Sequence, residues 1–159
     1  MKKQEYLKKL DKLSLDKSKY CIIAGGVMLM YGLKETTNDI DIRVLPSYFE
    51  ILKDKFILKK SSKYSYLYEL RDNIEVAVVE FDKKDVEFID GYPVLSLRKE
   101  LEWKIKNNRE KDKDSIIKIE EYLRGKNKFI VKVILSILIK KRARLYHNLL
   151  ALFYLKLSF

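Results

Sequence analysis

CIIAGGVMLMYGLKETTNDIDIRV, residues 21–44, changes its hydrophobic period twice within 24 residues. The apolar run 20–24, β-branched at its centre, predicts a buried strand. Gly25 and Gly26 end that strand, residues 27–31 predict a short helix, and Gly32 suits the helix C-terminus. A polar turn follows over 34–38. Residues 39–44 then alternate polar and apolar at period two, which predicts a strand with one buried face. Asp39 and Asp41 share one side of it, and Ile40 and Ile42 share the other.

Carboxylates two residues apart on a strand are separated by roughly 7 Å at their Cα atoms, so their oxygens can converge on one divalent cation. Left bare, the pair repels and one member tends to keep its proton. Oxygen-only donors favour Mg2+ or Mn2+. The glycine pair opens a helix, where free N–H groups and the helix dipole favour phosphate, and the missing Cβ lets a phosphate approach the backbone. A cation site opposite a phosphate cradle is equipment for chemistry on a nucleoside triphosphate. On these residues alone, an ordinary strand–turn–strand unit of an α/β protein is the alternative.

Gly25 and Gly26, followed after a helix and a turn by Asp39, Ile40 and Asp41, resemble the polymerase-β-like nucleotidyltransferase superfamily. The glycine pair with Thr37 ahead of Asp39 is similar to the small bacterial branch that includes the type IV abortive-infection toxins. The resemblance implies an α/β (α+β) fold, a small mixed β-sheet flanked by helices. It implies metal-dependent transfer of a nucleoside monophosphate from a nucleoside triphosphate to an acceptor hydroxyl. In that branch it also implies a toxin role with an antitoxin partner. A third carboxylate is expected on a later strand between two apolar residues, as general base or shared metal ligand. Ile74, Glu75 and Val76 match that pattern, although the acid in the family is often Asp. Glu80 and Asp72 are rivals.

The second half of the resemblance runs over residues 94–97, Lys104, Arg109, Lys111, Asp112 and Asp114. It implies that Lys104 touches nucleotide phosphates and that the cluster of Arg109, Lys111 and Asp112 braces the start of the next helix; Arg109 and Lys111 are further candidates for the nucleotide site beside Gly25, Gly26 and Thr37. A lysine or arginine can neutralise a triphosphate, and an aspartate at a helix start caps free N–H groups. Asp112 and Asp114 read as caps or ion-pair partners. The resemblance covers about residues 20–123.

With 159 residues the chain has room for a catalytic domain, 1–125, and a helical C-terminal extension, 126–159. Its formal charge of +11 implies attraction to polyanions, or else a lysine-rich composition bias. RNA, such as a tRNA end, is therefore the favoured acceptor, with a protein or a small hydroxylated molecule as alternatives. A non-catalytic nucleotide- or RNA-binding module that keeps the fold is the competing function. The single Cys21 excludes an internal disulfide and reads as a buried small residue. The sequence contains no phosphate-loop motif and no Cys/His zinc spacing. It shows no N-terminal apolar signal segment, so a cytoplasmic location is expected.

The remaining elements follow from periodicity. Residues 1–19 predict a basic amphipathic helix with Tyr6, Leu7, Leu10 and Leu13 as its stripe. Lys8, Lys9 and Lys12 would face nucleic acid if the helix does more than pack. A helix begins at Pro46, strands are expected over 56–58, 64–70 and 74–81, and 82–90 reads as irregular. Ser96 caps a helix over 97–107 with Leu97, Leu101 and Ile105 inward. A last catalytic-domain helix over 115–123, with Ile116, Ile119 and Leu123 inward, is expected to end at Gly125. The tail has apolar runs 129–139 and 145–159 around a basic cluster, each too short to span a bilayer. It predicts a packing or homo-oligomerising element, a membrane-surface helix, or the remnant of a larger helical domain. His147 belongs to its packing.

Overall fold

The structure, a computed structural model, describes the backbone of residues 1–62, 64–70 and 73–157, and side chains within these as far as residue 138. In chain order the elements are α1 (Lys3–Asp11), β1 (Tyr20–Ile22), α2 (Gly25–Met30), β2 (Ile40–Val44), α3 (Pro46–Lys55), β3 (Lys59–Lys60), β4 (Leu67–Glu69), β5 (Ile74–Val78), β6 (Val86–Ile89), β7 (Tyr92–Leu95), α4 (Leu97–Asn107) and α5 (Lys113–Leu157). The strands form one mixed sheet in the order β3-β4-β5-β2-β1-β7-β6.

β2 lies at the centre, antiparallel to β1 and parallel to β5. Ile40, Ile42 and Val44 are buried while Asp41 and Arg43 are half-buried, the alternation that the sequence predicts. The register pairs Ile40 with Ile74, Asp41 with Glu75 and Ile42 with Val76. Paired residues face the same way, so the apolar side chains of β2 and β5 form one surface and their acids share the other. A slip of one residue would turn the isoleucines to the polar side, so burial specifies the register. α3 covers the apolar surface; its Phe49 ring lies 4.5 Å from that of Tyr68 on β4. Pro46 starts α3, where its missing N–H costs nothing.

α4 has the predicted limits. The Ser96 hydroxyl accepts from the Lys99 N–H at 3.4 Å, and Asn108, at φ 44°, closes the helix in the left-handed region. Its buried face differs from the expected one. Ile105 is 53 % exposed, whereas Glu100 and Lys104 are buried beside Leu97.

Other boundaries also differ. α1 stops at Asp11, and Leu13 is buried from a turn beyond it. The strand expected over 56–58 forms at Lys59–Lys60 instead. β6 lies within the stretch read as irregular, joined to β7 by Asp90 and Gly91, both at positive φ. That Asp-Gly pair is a strong hairpin signal, because both central positions of the tight turn need positive φ. α5 begins at Lys113 and continues through Gly125, which a helix tolerates at a cost of about 1 kcal/mol. The chain divides into two compact units, 1–119 and 120–159. Among the described residues no helix is long and apolar enough to cross a membrane.

Gly26 is a packing glycine. A Cβ there would run into the Tyr6 hydroxyl and come within 2.5 Å of Ile22 Cγ2, and both neighbours are fully buried. Gly26→Ala is expected to lose about 1–3 kcal/mol in urea denaturation. Gly125→Ala, with nothing within 4 Å, is expected to be neutral or stabilising in the same measurement.

Candidate active site

The β2–β5 register brings three acids together. Asp39 immediately precedes β2, Asp41 lies within it, and Glu75 is the direct partner of Asp41 on β5. The Ile40 N–H donates to the Asn73 carbonyl at 2.9 Å, so the pairing is closed at the end where the acids sit. Glu80 lies beyond the end of β5, exposed, on the wall of a different cavity. Asp72 lies outside the described residues. Burial, then the charges of Asp39, Glu75 and Glu100, push the Asp41 carboxyl up to about 7. A half-buried carboxyl among like charges holds its proton in this way.

Thr37 orients Asp39. It is 2 % exposed, and its hydroxyl donates to Asp39 Oδ1 at 3.1 Å. Gly25 fits against this pair: a Cβ would stand 2.8 Å from Thr37 Oγ1 and 3.8 Å from Asp39 Oδ1. The spacing from the glycine to the threonine and aspartate is thereby a contact, because the loop after α2 returns the chain to the start of its own helix. Gly26 serves the interior instead, and its N–H donates to the Ile23 carbonyl at 3.1 Å. Ala24, the residue before the turn, has φ 52° and ψ −124°, a region that side-chain-bearing residues rarely adopt.

Two cavities meet at Asp39. One of about 180 Å³ is walled by Gly25, Lys34, Thr37, Asp39, Asp41, Lys104, Arg109 and Lys111 among others. The other, of about 490 Å³, is walled by Asp39 and Glu75 with Asn38, Asn73 and Glu69. The smaller is thus rich in cations; the described walls of the larger carry carboxylates and amides.

The cations of the smaller cavity differ in freedom. Lys104 Nζ is buried between Glu100 Oε1 at 3.2 Å and Asp112 Oδ1 at 2.8 Å. Arg109 Nε donates to Asp112 Oδ2 at 2.5 Å, and the guanidinium lies 4.5 Å from the centre of the Trp103 ring. Burial pulls the Asp112 carboxyl up, but the hydrogen bonds from Arg109 and Lys104 outweigh it and hold the carboxyl below its ordinary range. Asp112 is therefore an ion-pair partner, as read from the sequence. Burial pushes the Cys21 thiol up to about 12, which suits a packing residue and not a nucleophile.

Among the described residues no three His, Cys, Asp or Glu side chains are already gathered around a metal position. In kind, the donor set fits a hard divalent cation. Asp39 and Asp41 offer carboxylate oxygen only, and the proton held on Asp41 marks negative charge that a cation would relieve.

Glu100 is the site-adjacent residue that periodicity missed. It is 2 % exposed, and its Oε2 accepts the Ala24 N–H at 3.2 Å. Its one sequence signal is its place four residues before Lys104, the spacing of a helical ion pair.

No family model and no curated protein matches the chain. A solved structure does: a candidate nucleotidyltransferase from Thermotoga maritima, at 22 % identity and a TM-score of 0.54, over 79 % of this chain and 96 % of that one. The fold is therefore the nucleotidyltransferase fold, an α+β architecture on a mixed sheet.

Proposed function

We propose that the protein is a nucleotidyltransferase that moves a nucleoside monophosphate from a nucleoside triphosphate to an acceptor hydroxyl. The observation that carries this reading is that Asp39 and Asp41 share a cavity with Gly25 and four cations, Lys34, Lys104, Arg109 and Lys111, while Glu75 pairs with Asp41 and lines the adjoining cavity. In this reading the phosphates lie in the smaller cavity, near Gly25, Arg109, Lys104 and Lys111. Asp39 and Asp41 would hold Mg2+ or Mn2+, which supplies neutralisation of charge on the phosphates. Thr37 keeps the Asp39 carboxylate turned toward the cavity. Glu75, on the far side of Asp39, accepts the proton of the acceptor hydroxyl. The hydroxyl oxygen bonds to the α-phosphorus, and the bond to pyrophosphate breaks in line.

The acceptor approaches through the larger cavity. The charge of +11 favours RNA. A second reading rests on a specific observation. Residues 120–159 hold nine of the 34 Lys and Arg but only two of the 23 Asp and Glu. Much of the basic excess thus belongs to that segment of the sequence, whereas the described polar walls of the larger cavity are acids and amides. That lining favours an uncharged or cationic hydroxylated small molecule.

Incubation with labelled nucleoside triphosphates, Mg2+ and total RNA tests the proposal. Label is expected to enter RNA, and Asp39→Ala and Asp41→Ala are each expected to abolish its entry. Label entering a hydroxylated amine but not RNA would favour the second reading. Triphosphate binding with no transfer to any acceptor, unchanged in both variants, would support a non-catalytic module and sink the enzyme.

A further inference from the structure

We infer that Glu100 is a positioning residue that holds the two halves of the nucleotide site in register; the inference rests on the nucleotide reading above. Glu100 touches neither cavity. One of its oxygens accepts the N–H of Ala24, the residue whose unusual backbone angles turn Gly25 toward Asp39. The other lies 3.2 Å from Lys104 Nζ, which is 2.8 Å from Asp112, which in turn binds Arg109 Nε. A single buried carboxylate thus joins the glycine turn, through one contact, to the arginine on the opposite wall, through three.

The chain of contacts divides the labour among the cations. Lys104 is 4 % exposed and spends its charge on two carboxylates, so it acts as the keystone. Arg109, which lines the cavity, is held at Nε by Asp112 and on its face by Trp103. A guanidinium fixed at one edge and one face presents the remaining fork without further loss of freedom, and that fork matches a phosphate. Backbone angles like those of Ala24 persist only where the surroundings over-determine them, and the hydrogen bond to Glu100 is one such constraint. A nucleoside without phosphates gains little from either half. The preference for triphosphate over nucleoside is therefore the quantity that Glu100 controls.

The test is equilibrium dialysis with Mg2+ of ATP, GTP, CTP and UTP and of the four parent nucleosides, on the full chain. Wild type is expected to favour the triphosphate of at least one pair. Glu100→Ala is expected to cut that preference roughly tenfold, the worth of one aligned charge-assisted hydrogen bond. Glu100→Gln, which keeps an oxygen for the Ala24 N–H but cannot neutralise Lys104, is expected to fall between the two. Leu97→Ala, buried on the same helix face, is expected to lower the melting temperature and leave the preference intact. If Glu100→Ala does not fold, Glu100→Gln decides. A Glu100 variant with the wild-type preference would overturn the inference while the nucleotide reading stands, and so would a Leu97→Ala loss as large. Wild type with no preference for triphosphate would overturn both.

Discussion

Asp41→Asn is expected to abolish transfer and, at pH 8 without divalent cations, to make the protein more stable. The two effects have one origin. Burial, then Asp39, Glu75 and Glu100, raises the Asp41 carboxyl from 3.8 to about 7. A group raised on folding contributes stability that is complete below its unfolded value and is lost as pH rises through the folded one. For Asp41 that loss runs from about pH 4 to pH 7 and beyond. The full shift corresponds to about 4 kcal/mol; a half-buried group screened by water is expected to show about 1–3 kcal/mol. Asparagine fills the same space without the charge. Urea denaturation at pH 5 and pH 8 checks this: the variant's advantage should be present at pH 8 and shrink at pH 5. Added Mg2+ should stabilise wild type at pH 8 and the variant much less. Transfer should fall roughly 10³-fold or more, as expected when charge stabilisation at a reacting phosphate is removed. A variant less stable than wild type at pH 8 would show that the carboxylate is not repelled in the folded protein.

Lys104→Met is expected to be the most destabilising substitution in the α4 region. The lysine and its partners are nearly out of solvent, at 5 %, 3 % and 6 % side-chain exposure for Lys104, Glu100 and Asp112. Removing the cation leaves two buried carboxylates facing each other, and breaking such a buried set costs about 3–5 kcal/mol. Lys113→Met removes a lysine whose pair with Glu110 is largely exposed, and the denaturation midpoint should not move. The acid side carries a second check. The Asp112 carboxyl is lowered on folding, so its contribution is present above the unfolded value of 3.8 and lost as pH falls through the folded one. The gap between wild type and Lys104→Met should therefore narrow below about pH 4. This is the opposite pH sense to Asp41. A small, pH-independent loss for Lys104→Met would show that the network carries little of the fold.

Much of the site was legible because it lies within one continuous stretch. Alternation over 39–44 put Asp39 and Asp41 on one side, and burial of Ile40 and Ile42 leaves the strand no other register. Glu75 was legible as a charge within a β-branched run, and its pairing with Asp41 comes from the sheet order that sets β5 beside β2. The face of α4 was misjudged for a definite reason. Periodicity assigns apolar residues inward and charges outward, but Glu100 is buried against the Ala24 N–H, from a distant segment, and Lys104 against Asp112, from the turn after the helix, which Arg109 also binds. The hairpin at Asp90 and Gly91 is signalled by that pair, but the acids of 82–90 mask the alternation of its first strand. α5 passes Gly125 because a glycine lowers helix stability without forbidding the helix.

By itself the sequence determined the strand that carries Asp39 and Asp41, the glycine turn before it and the limits of α4. Each of these depends on side-chain period, backbone freedom or capping within a few residues. Tertiary structure alone decided that Glu75 is the acid beside Asp41, that Lys104 is enclosed between carboxylates, and that Glu100 reaches the Ala24 N–H. Those outcomes depend on which charges meet after the chain has closed, and the cost of burying a charge is set by partners that no local pattern contains.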